Sequence, residues 1–140
     1  MEIKGFRHLG LSVSDVERSV VWYRQVLGFV ELFREDCPER RAVIMKTADY
    51  RVILGLVESD QTGAGAGFDP HRVGLDHLCL LVEDRQELQA WERRLSGLGV
   101  RTSGIAEMRT GPILNCKDPD GIAVALATPP ATSTTQKEYR

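Results

Sequence analysis

The chain repeats itself, and that repeat limits its fold more than any other feature. A shift of 69 positions aligns Gly5 with Gly74, His8 with His77, Leu9 with Leu78, Leu11 with Leu80 and Val13 with Val82. The match continues through Asp15 with Asp84, Trp22 with Trp91, Arg24 with Arg93 and Gly28 with Gly97, giving nine identities across positions 5–28. Chance would supply about one or two at ordinary residue frequencies. Because the shift is about half of the 140 residues, the chain reads as one duplicated supersecondary unit whose copies share a core. That length suits a single domain, expected over residues 1–130.

Each copy opens on an alternating strand, over 5–13 and 75–82, whose period of two separates two faces. Leu9, Leu11 and Val13 share one face, and His8, Gly10 and Ser12 the other. In the second copy His77, Cys79 and Leu81 take the positions of the latter set. Helix starts follow near 15 and 85: Ser14 with Glu17 has capping-box spacing, and Asp84 precedes Glu87 by the same three residues. Val16, Val20, Tyr23 and Leu27 form one helical stripe, and Leu88, Trp91, Leu95 and Leu98 the other. Trp22 and Trp91 are expected in the helix-to-sheet core. Gly28 and the pair Gly97 and Gly99 supply the backbone that ends each helix.

Further strands are expected over 29–34, 41–46 and 52–57 in the first copy, and over 100–103, 105–108, 113–117 and 122–127 in the second. The run Asp118-Pro119-Asp120-Gly121 is a tight turn joining the last two. Module one therefore covers about 5–58, a glycine-rich linker 59–73 and module two about 74–127, with a disordered tail expected over 128–140. His71, in the linker, reads as a surface residue.

Composition narrows the partners. Eighteen Lys and Arg against twenty Asp and Glu give a net charge of −2, so no basic field invites nucleic acid. No stretch reaches the length of a membrane span and no signal core opens the chain, which makes the cytoplasm the expected compartment. Three widely spaced cysteines, Cys37, Cys79 and Cys116, fit reduced thiols rather than a disulfide framework.

Two βαβββ modules with a histidine on each first strand resemble the vicinal-oxygen-chelate superfamily, which includes glyoxalases, bleomycin-resistance proteins and extradiol dioxygenases. The resemblance rests on His8-Leu9-Gly10-Leu11-Ser12-Val13, on Trp22-Tyr23-Arg24 with Val26-Leu27-Gly28-Phe29, on Val73-Gly74-Leu75-Asp76-His77, and on Asp118-Pro119-Asp120-Gly121. It implies an α+β fold in which tandem βαβββ modules curl a mixed sheet into a cup holding the site, and a homodimer.

Metal-dependent members of that family hold a divalent ion with the first-strand histidines and with carboxylates on the last strand of each module. Carried over, His8 and His77 occupy the histidine positions, but Ala125, and Gly55 or its neighbour, stand where the carboxylates belong. Two imidazoles alone leave an Fe, Mn, Ni, Co or Zn ion short of ligands and charge. Glu31, Glu58, Glu107 and Cys116 match no ligand position of the family.

The small residues at Gly55, Ala123, Ala125 and Ala127 instead widen the pocket, unless Met45, Met108, Trp22 or Phe68 fills it. His8, Ser12, Gly55, His77, Cys79, Asn115 and Ala125 are the expected ligand-binding residues. The leading expectation is a protein that binds a small apolar or aromatic molecule without a tightly bound metal. The alternatives are a metal-dependent lyase or dioxygenase, or a metal-free isomerase, with His8 and His77 as the catalytic candidates. A module with no ligand at all has the least support, since no exposed apolar stripe or groove is apparent.

Overall fold

The computed structural model describes residues 1–60 and 67–130. Most of the expected tail, 131–140, and part of the linker, 61–66, lie outside the described residues. The order is β1 (Leu9–Ser12), α1 (Val16–Leu27), β2 (Val30–Cys37), β3 (Arg40–Lys46), β4 (Ile53–Ser59), β5 (Leu78–Leu81), α2 (Arg85–Gly97), β6 (Thr102–Met108), β7 (Gly111–Lys117) and β8 (Ala123–Ala127). This is βαβββ twice, with β1 and β5, and α1 and α2, starting 69 residues apart, as the repeat requires. Each module forms a four-stranded mixed sheet, ordered β1-β4-β3-β2 and β5-β8-β7-β6, in which the first strand runs parallel to the last. Among the described residues no helix is long and apolar enough to cross a membrane.

Two compact units are distinguished: Met1–Phe68 with Asp118–Gly121, and Asp69–Lys117 with the residues from Ile122 onward. In the first, period-two alternation sends Leu11, Val43, Met45, Leu54 and Leu56 to the helix side, where all are buried with Val16, Val20 and Tyr23 of α1. Tyr23 packs edge-on against Phe29, with ring centroids 6.0 Å apart. In the second, Leu88 and Leu95 of α2 are buried, as are Leu114, Val124 and Leu126 of the sheet. The tryptophans depart from expectation. Both are only half-buried, Trp22 standing edge-on to Tyr23 and Trp91 lying under the Arg94 guanidinium, so Tyr23 and Leu88 fill the core beside them.

The helix ends show local sequence at work, with one correction. Asp15 and Asp84 are the N-caps, accepting from the backbone N–H of Arg18 and Glu87. Ser14, expected to cap α1, turns away to Asp120: its N–H donates to Asp120 Oδ2 at 2.9 Å and its hydroxyl to Oδ1. Gly28 ends α1 at φ 75°, whereas α2 runs through Gly97, is capped at Leu98, and leaves Gly99 to take the left-handed turn at φ 72°. The weak strand pair expected over 100–108 is one strand, β6. Its register shifts between Thr102 and Ile105, around Gly104 at φ 71°, a bulge in an otherwise continuous ladder.

Glu58, at the end of β4, finishes the first helix. Its carboxylate accepts from Val16 N–H at 2.7 Å and from Arg41 Nη2 at 2.7 Å. Both interactions favour the ionised form, and Arg41 is the larger cause holding Glu58 below the ordinary carboxylate value. A lowered folded-state pKa gives stability that is present above the unfolded pKa and lost as pH falls through the folded one. Glu58→Gln is expected to cost about 1 kcal/mol at neutral pH, since one charge-assisted bond to a backbone N–H is weakened and the Arg41 pair is half-exposed. The gap from wild type should close as pH falls below about 4.5, read from urea midpoints between pH 3 and 7. A gap that stays constant with pH would refute this role.

Candidate functional site

The face of the first sheet turned away from α1 carries the candidate site. Strand alternation puts Gly10 beside Gly55 across the parallel β1–β4 ladder, and Ile44 opposite Gly55 on β3. With no side chain on either glycine, the sheet surface is depressed there. A Cβ added at Gly55 would meet Ile44 Cδ1 at 3.4 Å and Gly10 Cα at 3.9 Å. A cavity of about 310 Å³ opens over this floor, with Ala42, Ile44, Ile53 and Val57 among its apolar lining. A bulge between Glu31 and Phe33 brings the consecutive residues Leu32 and Phe33 to the same cavity, and both keep exposed surface.

Its polar lining is His8, Arg7, Arg40 and Glu35. His8 lies one residue before β1 and is exposed. Among the described residues, Arg7 and Arg40 form no ion pair, as is also true of Arg93, Arg101 and Arg109. The larger side chains that could have filled this space lie elsewhere. Met45 is buried on the helix side opposite Leu54, Trp22 belongs to α1, and Met108 is exposed on β6. Phe68 holds Asp120 O through its backbone N–H.

Of the residues expected from sequence, His8 and Gly55 line this cavity; Ser12, at the end of β1, is exposed and is not part of the lining. In the second unit Cys79 stands opposite Ala125, which is fully buried, and Asn115 pairs with Ala125 from the other side. Asn115 also lines a separate cavity of about 530 Å³ with Thr102, Ser103 and Lys117. His77 is exposed, its Nδ1 lying 2.6 Å from Oδ2 of the equally exposed Asp76. Cys79 is an exposed residue, but burial around its sulfur pushes the thiol above its ordinary value, which disfavours the thiolate a nucleophile needs.

The carboxylates left open by the sequence are occupied elsewhere. Glu31 pairs with Arg34, Glu58 with Arg41 and Val16 N–H, and Glu107 with Arg85. Cys116 is buried. Gly55 and Ala125, at the carboxylate positions, offer no donor. Among the described residues no group of three or more His, Cys, Asp and Glu side chains could hold a metal ion. This donor set does not fit a resident divalent ion of the kind such folds carry, because two histidines supply too few ligands and no negative charge.

Sequence reasoning missed Arg7, Arg40, Glu35, Leu32 and Phe33. Alternation along β3 could have placed Arg40 with Ala42 and Ile44 on one face. The bulge that recruits Leu32 had no local signal.

Residues 5–126 match the family model described as Glyoxalase/Bleomycin resistance protein/Dioxygenase superfamily. A catechol-2,3-dioxygenase of Bacillus subtilis (strain 168) is 30% identical over 136 residues, covering 94% of this chain and 45% of the relative. The chain thus spans about half the length of the curated relative it matches. Among solved structures, a glyoxylase/bleomycin resistance protein/dioxygenase domain from Frankia sp. EAN1pec superposes with a TM-score of 0.84 at 30% identity, covering 91% of this chain and 99% of that one. A glyoxalase family protein from Enterococcus faecalis follows at 0.74 and 27%, covering 91% and 99%.

Proposed function

The chain belongs to the glyoxalase/bleomycin resistance protein/dioxygenase superfamily, and on that premise we propose that it binds a small apolar or aromatic molecule on the open face of its first sheet, without a tightly held metal ion. The observation that carries this reading is the cavity over Gly10 and Gly55, about 310 Å³ and within the usual size of ligand pockets. The glycine that deepens it stands where a metal-binding member would carry a carboxylate. The substitution therefore removes a ligand and adds apolar space at the same position. His8 supplies a hydrogen-bond partner at the edge of an otherwise apolar floor.

A second reading is favoured by the dioxygenase relative: a metal-dependent lyase or dioxygenase, or a metal-free isomerase, that uses His8 and His77. Elemental analysis separates the two. Protein incubated with Mn, Fe, Co, Ni or Zn and then exhaustively buffer-exchanged is expected to retain well under one equivalent per chain. One equivalent retained by wild type, and lost in the His8→Ala/His77→Ala variant, would overturn the metal-free reading. It would also direct the search to oxygenase and lyase substrates.

A further inference from the structure

We propose that the second unit binds a small phosphate monoester, with Arg101 and Lys117 holding the phosphate dianion and Asn115 and Ala123 beside the organic body. None of these residues lines the cavity over Gly55, so the inference stands apart from the binding reading above.

Strand register puts the two cations side by side. Thr102 of β6 faces Cys116 of β7 across an antiparallel ladder. The residues one step further out, Arg101 and Lys117, therefore stand opposite each other, with Cα atoms roughly 5 Å apart. Opposed residues share one face of the sheet, and like charges placed so are destabilising. Both side chains are exposed, and both line the cavity of about 530 Å³ that Ser103, Asn115 and Ala123 also line. Arg93 and Arg109 likewise form no ion pair, so an unpaired guanidinium is no signal in this chain. Two cations opposed across a ladder in one cavity are.

No carboxylate answers them. The lining contains neither Asp nor Glu. The acidic residues that follow Lys117 are engaged within the first unit: Asp118 accepts from the Tyr23 hydroxyl, and Asp120 from Ser14 and Arg18. Two positive charges with no negative one among the lining residues match a dianion. A phosphate monoester, whose second pKa lies near about 6, is mainly that at neutral pH. The planar guanidinium can take two of its oxygens, and the ammonium adds a point charge beside them.

The cavity is larger than a lone phosphate ion needs and within the usual size of small-molecule pockets, which calls for an organic body. Ala123 stands opposite Lys117 on β8, and Ala125 opposite Asn115, so methyl groups leave room beside the cations. The Ser103 hydroxyl is already engaged, donating to Gly104 O and accepting from Asn115 N–H. The half-buried Asn115 carboxamide makes no hydrogen bond to the described residues, and it can donate to or accept from the body.

Isothermal titration of the full chain at low salt and mildly alkaline pH tests the site with three probes: phenyl phosphate, a dianion; phenyl sulfate, a monoanion of similar shape; and inorganic phosphate. Phenyl phosphate is expected to bind once per chain, about tenfold more tightly than either of the others, and to weaken as salt is raised, because its partners are solvent-facing charges. Arg101→Gln/Lys117→Gln should weaken it at least about tenfold, through loss of two charge-assisted contacts. Arg93→Gln/Arg109→Gln removes the same charge from other exposed positions and should bind as wild type does. Far-UV circular dichroism checks that both variants fold.

Phenyl sulfate binding as tightly as phenyl phosphate would overturn the dianion assignment, and inorganic phosphate doing so would overturn the monoester. Failure of phenyl phosphate to bind wild type, or an equal loss in the two double variants, would overturn the site itself.

Discussion

Asp120→Ala is expected to lower stability by about 2–3 kcal/mol, a large share of the 5–15 kcal/mol typical of a domain. Asp120 sits in the turn before β8, yet its carboxylate serves the entrance of α1, more than a hundred residues earlier. Oδ2 accepts from Ser14 N–H at 2.9 Å, and Oδ1 accepts from the Ser14 hydroxyl and, at 3.0 Å, from Arg18 Nη2. The Asp120 side chain is only 10% exposed, so the bonds to Ser14 are shielded, and removing the acceptor leaves a half-buried N–H without its partner. Arg18 is half-exposed and contributes little. Arg18→Ala should therefore cost under about 1 kcal/mol, and Asp120→Asn, which keeps one carbonyl acceptor, should fall between the two. Urea denaturation gives all three. A value for Asp120→Ala within about 0.5 kcal/mol of wild type, the usual range for an ordinary surface substitution, would show that the turn does not hold the helix entrance.

The same turn shows what could be read in the sequence and what could not. Its local form was legible: Gly121 adopts φ 84°, its N–H donates to Asp118 O, and Asp118 Oδ1 accepts from Asp120 N–H. Those contacts span at most three residues and follow from the chemistry of aspartate and glycine. Its long-range role was not legible. Tyr23 donates its buried hydroxyl to Asp118 Oδ2 at 3.2 Å, and Ser14 donates to Asp120 instead of capping its own helix. A capping box and a distant acceptor compete for the same serine, and only the folded chain decides between them.

The duplicated pattern carried the architecture further than any propensity could. Identities at a fixed offset tie two stretches together, so a strand that is weak in one copy is supported by its counterpart. β5 has only four residues, yet its alignment with β1 marked it. The site was less legible because a cavity depends on which residues from four strands share one face at one height. His8 and Gly55 were expected because a family pattern points at them, and both line the cavity. Arg7 and Arg40 were not, because only the folded sheet shows that an arginine before β1 and another opening β3 border the same cavity. That is a property of the fold, not of the run of residues around it.

Gly55→Leu is expected to weaken binding of an apolar aromatic probe such as N-phenyl-1-naphthylamine at least tenfold, a loss of about 1.4 kcal/mol or more, while leaving the protein folded. The backbone at Gly55 is an ordinary strand, with no positive φ to penalise a side chain. A first carbon there meets Ile44 Cδ1 at 3.4 Å, the mobile end of a side chain that can give way. Gly55→Ala should therefore change both stability and binding little. Leucine extends beyond that point into the cavity over the β1–β4 ladder, where it fills space that the ligand needs. Its cost to folding should stay at the low end of the 1–3 kcal/mol usual for overpacking, because the added atoms enter an open cavity and not the helix-side core. Paired measurements of probe affinity and urea midpoint distinguish the outcomes. Retained affinity in a folded Gly55→Leu protein would mean that the ligand binds away from this face. Lost affinity with an unchanged midpoint would identify the depression at Gly55 as the floor of the binding site.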